Sequence, residues 1–69
     1  MDADDLRWEL DRLGLTQNGL ARLLDIEPRT VRRWATGQYL VPRSVDLLLE
    51  RLGPEEAQEL AKGEQTNAE

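Results

Sequence analysis

The segment 25–37 reads DIEPRTVRRWATG and combines clustered positive charge with large apolar residues. Its arginines, within five positions of one another, are Arg29, Arg32 and Arg33. Its large apolar residues are Ile26, Val31 and Trp34. Pro28 suits the first position of a helix, where a missing amide hydrogen costs nothing, and Gly37 suits a helix end. We predict a helix over residues 28–35, with an apolar face in the core and guanidinium groups on the opposite face.

The composition limits the class of protein. A chain of 69 residues is sufficient for one small domain with a modest core. It contains no cysteine and no histidine, which excludes a disulfide framework, a thiolate metal site and the usual general base. Nucleophile–base pairs, glycine-rich phosphate loops and an apolar run of roughly 20 residues are absent, and the acidic start MDADDL is not expected to be a signal peptide. We expect a cytoplasmic protein that is not an enzyme and that binds no cofactor or metal.

Charge is distributed unevenly along the chain. Residues 17–43 hold five arginines against Asp25 and Glu27, a net charge of +3. Residues 1–16 carry a net charge of −3 and residues 44–69 carry −5, which gives −5 for the whole chain. The local distribution of charge, rather than its sum, determines where an anionic partner binds. The basic middle is therefore the candidate region for contact with nucleic acid.

Apolar residues at spacings of three and four predict an all-α fold of five amphipathic helices. The predicted helices cover residues 3–13, 17–24, 28–35, 43–52 and 54–62. The apolar stripe of the fourth consists of Val45, Leu48, Leu49 and Leu52. Thr16 and Glu27 are candidate N-caps. The glycines expected to end helices, besides Gly37, are Gly14, Gly53 and Gly63. Residues 1–63 form the predicted domain, and the polar residues 64–69 are expected to be a disordered tail.

The second and third predicted helices are separated only by residues 25–27. Two short helices joined by a tight turn, with a basic outer face on the second, are typical of a helix-turn-helix. Such a helix fits the major groove of duplex DNA, where arginine donates two hydrogen bonds to guanine. Arginines that miss a base edge can bind phosphate oxygens. The pattern favours DNA binding over a merely solvated charged face.

The stretch GLTQNGLARLLDIEPRTVRRWATGQYLVP, residues 14–42, resembles the lambda-repressor-like helix-turn-helix family, also called the Cro-type or xenobiotic-response-element family. The matching positions are Gly14, Leu15, Thr16, Gln17, Leu20, Ala21, Ile26, Thr30, Val31 and Gly37. The resemblance covers about residues 6–52. The TVRRWATG version is similar to small single-domain regulators of phages and mobile elements, of which anti-CRISPR-associated autorepressors are one subset. It implies a five-helix, bacterial or phage-encoded DNA-binding domain with the helix-turn-helix at helices 2 and 3.

The resemblance also implies roles by position. The implied base-reading residues are Arg29 and Arg33, with Pro28, Glu27 and Thr30 beside them. The implied phosphate contacts are Gln17, Arg32, Thr36, Gln38, Tyr39 and Arg43. The sequence departs from the family at three positions: Asp25 replaces a common glycine, Glu27 a common Ser or Thr cap, and Ala35 a common glutamate. Glu27 can cap the third helix, accept from a cytosine amine or repel phosphate, and these alternatives remain open.

Several residues also have a structural interpretation. We expect Trp34 to lie in the core and Arg22 to be solvated. Trp8 either covers a neighbouring helix or lies in a dimer contact. Tyr39 either packs in its loop or donates its hydroxyl to phosphate, and Gln17 can simply begin a helix. The paired acids that complement helix dipoles are Asp4, Asp5, Glu55 and Glu56.

These features predict a sequence-specific transcriptional regulator of double-stranded DNA, a repressor acting on its own promoter. One such domain buries only about 600–1,000 Å² on DNA, so we expect a homodimer on an inverted-repeat operator. The candidate dimer contacts are Trp8, Leu52, Ala57 and Leu60. Two alternatives remain open. One is a DNA-binding antitoxin that holds a basic toxin through its acidic termini. The other is an acidic protein-interaction module without a DNA role.

Overall fold

The computed structural model describes residues 1–67, with side chains as far as Ala61. Within this part of the chain the fold is all-α. Its five helices are α1 (Ala3–Leu13), α2 (Gln17–Leu24), α3 (Pro28–Ala35), α4 (Arg43–Arg51) and α5 (Pro54–Asn67). The first three helices have the predicted bounds, and the fourth ends one residue earlier than predicted.

The ends of the first three helices are fixed by a shared backbone arrangement. At each end a residue beyond the helix donates to a carbonyl oxygen five positions back: Leu15 to Leu10, Ile26 to Ala21, and Gln38 to Arg33. This is the Schellman arrangement, which needs a left-handed residue just before the donor. Gly14 and Gly37 fulfil this requirement with φ of 69° and 84°, and Asp25 fulfils it with φ of 58°. Short connections can therefore reverse the chain after each helix.

The N-terminal ends of the same helices differ from one another. Asp2 accepts from the amide of Asp5 at the start of α1, and Thr16 accepts from the amide of Gly19 at the start of α2. The predicted capping role of Thr16 is thus confirmed. Glu27 precedes α3 in an extended conformation but makes no side-chain cap hydrogen bond. The capping alternative for Glu27 is wrong, because its carboxylate accepts no hydrogen bond from an amide at the start of α3.

The C-terminal third departs from the prediction at both of its glycines. The residue that follows α4 is Leu52, which has an extended conformation. Gly53 has no positive φ, so this helix lacks a glycine cap. Helix α5 continues through Gly63 to Asn67, whereas we predicted that Gly63 ends it and that residues 64–69 form a tail. A glycine lowers the stability of a helix by about 1 kcal/mol but does not by itself end one. The final two residues of the expected tail lie outside the described residues.

The core lies between α1, α2, α3 and the inward faces of α4 and α5. Its largest fully buried side chains are Leu6, Leu13, Leu20, Leu49 and Val31. Trp34 is 6% exposed and belongs to this core, as expected. Leu48, which we placed in the apolar stripe of α4, is instead 38% exposed, at the edge of a stripe whose buried members are Leu49 and Leu52. The packing holds α3 against α1 and α2 through its Val31 and Trp34 side.

Two polar side chains connect distant parts of the chain. Arg12 donates from Nη2 to the carbonyl oxygens of Leu49 at 2.9 Å and Leu52 at 3.3 Å, which joins α1 to the end of α4. Its Nε also donates to Glu9, a carboxylate that is only 8% exposed. Gln58 on α5 donates to the carbonyl oxygens at the end of α1. These contacts satisfy carbonyl groups that helix ends leave without an intrahelical donor.

Candidate functional site

Helix α3 lies at one side of the molecule with a buried face and an exposed face. Successive helical residues are rotated by about 100°. Val31, Trp34 and Ala35 are buried, so the opposite direction falls between Arg29 and Arg33. Arg29 is exposed and Arg33 is half-buried. The structure thus separates an anchoring face from a cationic face within eight residues, as the segment 25–37 predicted.

The arginines of this face are not paired with acids in the part of the chain that the structure describes. No carboxylate lies within 4.0 Å of Arg29, Arg32 or Arg33 among residues 1–61. On α1, by contrast, Arg7 pairs with Asp4 and Arg12 pairs with Glu9, each three residues away. Unpaired guanidinium groups keep their five N–H donors available to an outside acceptor. The cationic face is therefore chemically suited to an anionic partner.

The turn before α3 places further predicted residues beside this face. Glu27 and Pro28 are exposed, and Thr30 is half-buried. Glu27 accepts from the amide of Thr30 through its backbone oxygen only, at 3.0 Å, which leaves its carboxylate directed to solvent. Glu27 therefore places a negative group at the start of a positively charged helix.

The loop between α3 and α4 folds back towards α3. The hydroxyl of Thr36 donates to the carbonyl oxygen of Arg33 at 3.2 Å, so its hydrogen is already used within the chain. The guanidinium carbon of Arg33 lies 5.6 Å from the centre of the Tyr39 ring. That distance is within the range of a cation–π contact. Sequence reasoning missed this pair, because it assigned Arg33 to a base and Tyr39 to phosphate or to its loop.

The remaining predicted phosphate contacts lie on three helices and one loop. Gln17 is the first residue of α2 and is half-buried, and Arg43 is the exposed first residue of α4. Arg32 is exposed on α3, and Gln38 is exposed in the loop that follows it. Amides at helix N-termini are favourable positions for anions. Two helix starts and the α3 loop thus supply polar groups in addition to the cationic face.

The predicted dimer contacts divide into buried and exposed residues. Leu52 is 6% exposed and Ala57 is 0% exposed, so both belong to the core of this chain and cannot form a surface contact. Trp8 is 64% exposed and Leu60 is 50% exposed. Leu40 in the α3–α4 loop, at 82%, is the most exposed of the large apolar residues described. The sequence did not indicate this, because a single leucine in a loop carries no periodicity.

Trp8 borders an acidic groove between α1 and α4. The groove has a volume of about 330 Å³. The residues that line it are Met1, Asp5, Trp8, Glu9, Asp46 and Glu50. The terminal amine of Met1 lies 3.8 Å from Asp46, and the guanidinium carbon of Arg12 lies 6.0 Å from the centre of the Trp8 ring. Of the two alternatives for Trp8, covering a neighbouring helix is wrong, because most of its surface faces solvent.

Arg22 differs from its expected solvated position. It is half-buried, and its Nε is buried without a hydrogen-bond partner among the described atoms. The expectation that Arg22 is solvated is therefore wrong for this part of its guanidinium group. Asp4 and Asp5 lie in the first turn of α1, and Glu55 and Glu56 in the first turn of α5, where they complement the helix dipoles.

No helix within the described residues has both the length and the apolar character needed to span a bilayer. Comparisons of the chain with protein-family models, with curated proteins and with solved structures gave no match.

Proposed function

We propose that this chain is a sequence-specific DNA-binding transcriptional regulator of the lambda-repressor-like type. In this proposal α2 and α3 form the helix-turn-helix, and α3 enters the major groove. The observation that carries it is the exposed face of α3, where Arg29 and Arg33 are one turn apart and free of acidic partners in the described part of the chain. The resemblance of residues 14–42 to that family supports the same function.

The division of labour on this surface follows from its chemistry. Arg29 and Arg33 lie at the centre of the cationic face, so they are the base readers, each able to donate twice to guanine O6 and N7. Arg32 lies to one side of that centre and Arg43 begins the next helix, so both contact phosphate. Gln17 adds a donor at the start of α2, where the helix amides also favour an oxyanion. Glu27 reads a base edge that presents an amine, such as cytosine N4, and disfavours other positions.

The acidic remainder of the chain adjusts affinity rather than opposing binding. Its carboxylates are concentrated on α1, α4 and α5, whereas α3 carries three arginines and no acid. Non-specific affinity for DNA depends mainly on neutralised phosphates. A chain with a net charge of −5 and a local cationic face therefore favours sites where base contacts supplement the few phosphate contacts.

The regulator acts as a homodimer on an inverted repeat and represses its own promoter. One domain of this size covers a small area of DNA, and two copies on half-sites one duplex turn apart double the contacts. Since Leu52 and Ala57 are buried and Trp8 lies beside carboxylates, the apolar residues of α4 and α5 that can form the dimer contact are Leu47, Leu48 and Leu60.

Selection from random duplexes, followed by fluorescence anisotropy, tests the proposal. The wild-type chain should enrich one inverted-repeat sequence, and its affinity should fall steeply as salt rises. Arg29→Ala/Arg33→Ala should weaken binding to the selected duplex by about a hundredfold or more, because each bidentate contact contributes about 1–3 kcal/mol. Arg29 is exposed and Arg33 is only half-buried, so the thermal melting temperature should change little.

The matched control is Arg7→Ala/Arg51→Ala, which removes the same charge from exposed positions outside α3. It should change the affinity by less than about threefold. Equal losses in the two double variants would show that only total charge matters. The acidic protein-interaction module would be favoured if the wild-type chain enriched no duplex and any residual affinity for DNA did not change with salt.

A second function, a DNA-binding antitoxin, is favoured by the acidic groove beside Trp8. Its carboxylates and exposed indole suit a lysine or arginine side chain of a basic protein, since an indole face attracts cations. In this function α3 still binds the operator, and the groove holds the toxin. Trp8→Ala would then weaken binding of the protein partner and leave DNA binding unchanged, whereas Arg29→Ala/Arg33→Ala would do the reverse.

A further inference from the structure

The position of Tyr39 relative to Arg33 is determined by the backbone of the α3 end. The carbonyl oxygen of Arg33 accepts from the amides of Gln38 at 2.9 Å and Tyr39 at 3.3 Å, as well as from the Thr36 hydroxyl. Gly37, with φ of 84°, makes this reversal possible, because a residue with a Cβ is strained there. The backbone of Tyr39 therefore binds the carbonyl oxygen of Arg33, and its ring contacts the side chain of the same residue.

The contact with the Tyr39 ring restrains the side chain of Arg33 more than the side chain of Arg29 is restrained. Arg33 is half-buried with its guanidinium carbon 5.6 Å from the ring centre, whereas Arg29 is exposed. A free arginine loses rotamer entropy when a partner fixes it. A guanidinium that rests on an aromatic ring loses less, and its N–H donors are directed along its edges, away from its faces.

We propose that Tyr39 is a positioning residue that uses its ring to hold Arg33 ready to read a guanine. This inference rests on the proposed DNA-binding function. It assigns the specificity at one operator position to a pair of residues, rather than to Arg33 alone. It also replaces the phosphate contact implied for Tyr39 by the family resemblance, because the ring and not the hydroxyl carries the effect.

Substitutions at position 39 separate the ring from the hydroxyl. Tyr39→Phe and Tyr39→Trp keep an aromatic face for Arg33 and remove the phenolic hydroxyl. Tyr39→Leu removes the face and keeps an apolar side chain. Since Tyr39 is 54% exposed in a loop, all three variants should fold, and equal melting temperatures would establish this.

Affinities are measured by fluorescence anisotropy on the duplex selected by the wild-type chain and on duplexes changed at single base pairs. Tyr39→Phe and Tyr39→Trp should bind the selected duplex within about twofold of wild type. Tyr39→Leu should lose about two- to fivefold, the range expected for an exposed cation–π contact. The loss should be confined to the base pair whose preference disappears in Arg33→Ala. In an Arg33→Ala background, Tyr39→Leu should have no further effect.

Three results would overturn the inference. An equal loss in Tyr39→Phe and Tyr39→Leu would assign the role to the hydroxyl and so to phosphate. A loss from Tyr39→Leu that adds fully to that of Arg33→Ala would show that the two residues act independently. Absence of wild-type binding to any duplex would overturn both this inference and the DNA-binding function. The first two results leave that function intact, so the two failures are distinguishable.

Discussion

The side-chain amide of Gln58 donates to the carbonyl oxygen of Gly14 at 2.9 Å and to that of Leu13 at 3.1 Å. One residue of α5 thereby caps the last turn of α1. Gly14 is constrained twice at this point, because it has φ of 69° and because a Cβ there would overlap the Gln58 amide. The end of α1 and the start of α5 are consequently one structural unit, although 44 positions separate these residues.

Gly14→Ala tests the coupling between the end of α1 and Gln58 on α5. We expect it to lower the free energy of unfolding by about 2–3 kcal/mol, about 1 from the left-handed backbone and the rest from the lost Gln58 hydrogen bonds. In a Gln58→Ala background those bonds are already absent, so the same change should cost only the backbone part, about 1 kcal/mol. Urea unfolding of the four chains measures the difference. Equal costs in the two backgrounds would show that Gln58 does not respond to position 14.

Arg12 should be one of the most sensitive polar residues in the chain. Arg12→Met keeps the apolar stem but leaves the carbonyl groups of Leu49 and Leu52 without their donor and Glu9 buried without its cation. We expect a loss of about 2–4 kcal/mol in the free energy of unfolding. Adding Glu9→Met should restore part of that loss, because the buried charge is then gone.

The matched control for this prediction is Arg7→Met on the same helix. Arg7 pairs with Asp4 at the surface, so its loss should change stability by less than about 1 kcal/mol. A comparable effect of both changes, measured by urea unfolding, would contradict a special role for the contact between α1 and α4.

The sequence predicted local structure well and contacts between distant residues poorly. The bounds of α1, α2 and α3 follow from neighbouring caps and apolar spacings, which involve residues within five positions of each other. The contacts of Arg12 with α4 and of Gln58 with α1 join residues about 40 positions apart, and no local pattern indicates them. Periodicity also identifies an apolar residue without showing what covers it. For this reason Ala57 was assigned to a surface, although it lies in the core.

The cationic face of the candidate site could be predicted from the sequence, because it depends only on neighbouring residues. The cationic face of α3 follows from the positions of three arginines within one helix, so it is a local property. The Tyr39–Arg33 contact depends on the path of the intervening loop, which the single glycine at position 37 indicates only as a turn. The roles of the α3 residues in binding remain predictions that the experiments above test.

The start of α3 offers a stabilising substitution. Glu27 occupies the N-cap position in an extended conformation but makes no side-chain cap hydrogen bond. Glu27→Ser supplies a short side-chain acceptor at the start of α3, and it should raise the free energy of unfolding by about 0.5–1 kcal/mol. Thr16→Ala, which removes the cap hydrogen bond at the start of α2, should lower it by about 1 kcal/mol. Thermal melting should move in opposite directions for the two variants, and a fall for Glu27→Ser would show that its carboxylate stabilises the helix in another way.

Trp8 should remain accessible when two copies of the chain associate. Asp5 and Glu50 line the groove beside Trp8, so a contact between two copies at this face would bring like charges together. We expect acrylamide to quench the fluorescence of Trp8 equally at protein concentrations below and above the one at which sedimentation detects association. Trp8→Phe leaves Trp34, which is 6% exposed, as the only tryptophan and so supplies the signal of a protected indole. Trp8→Ala should leave association unchanged and lower stability by less than about 1 kcal/mol, since Trp8 is 64% exposed. Protection of Trp8 on association, with weaker association of Trp8→Ala, would instead place the dimer contact on α1.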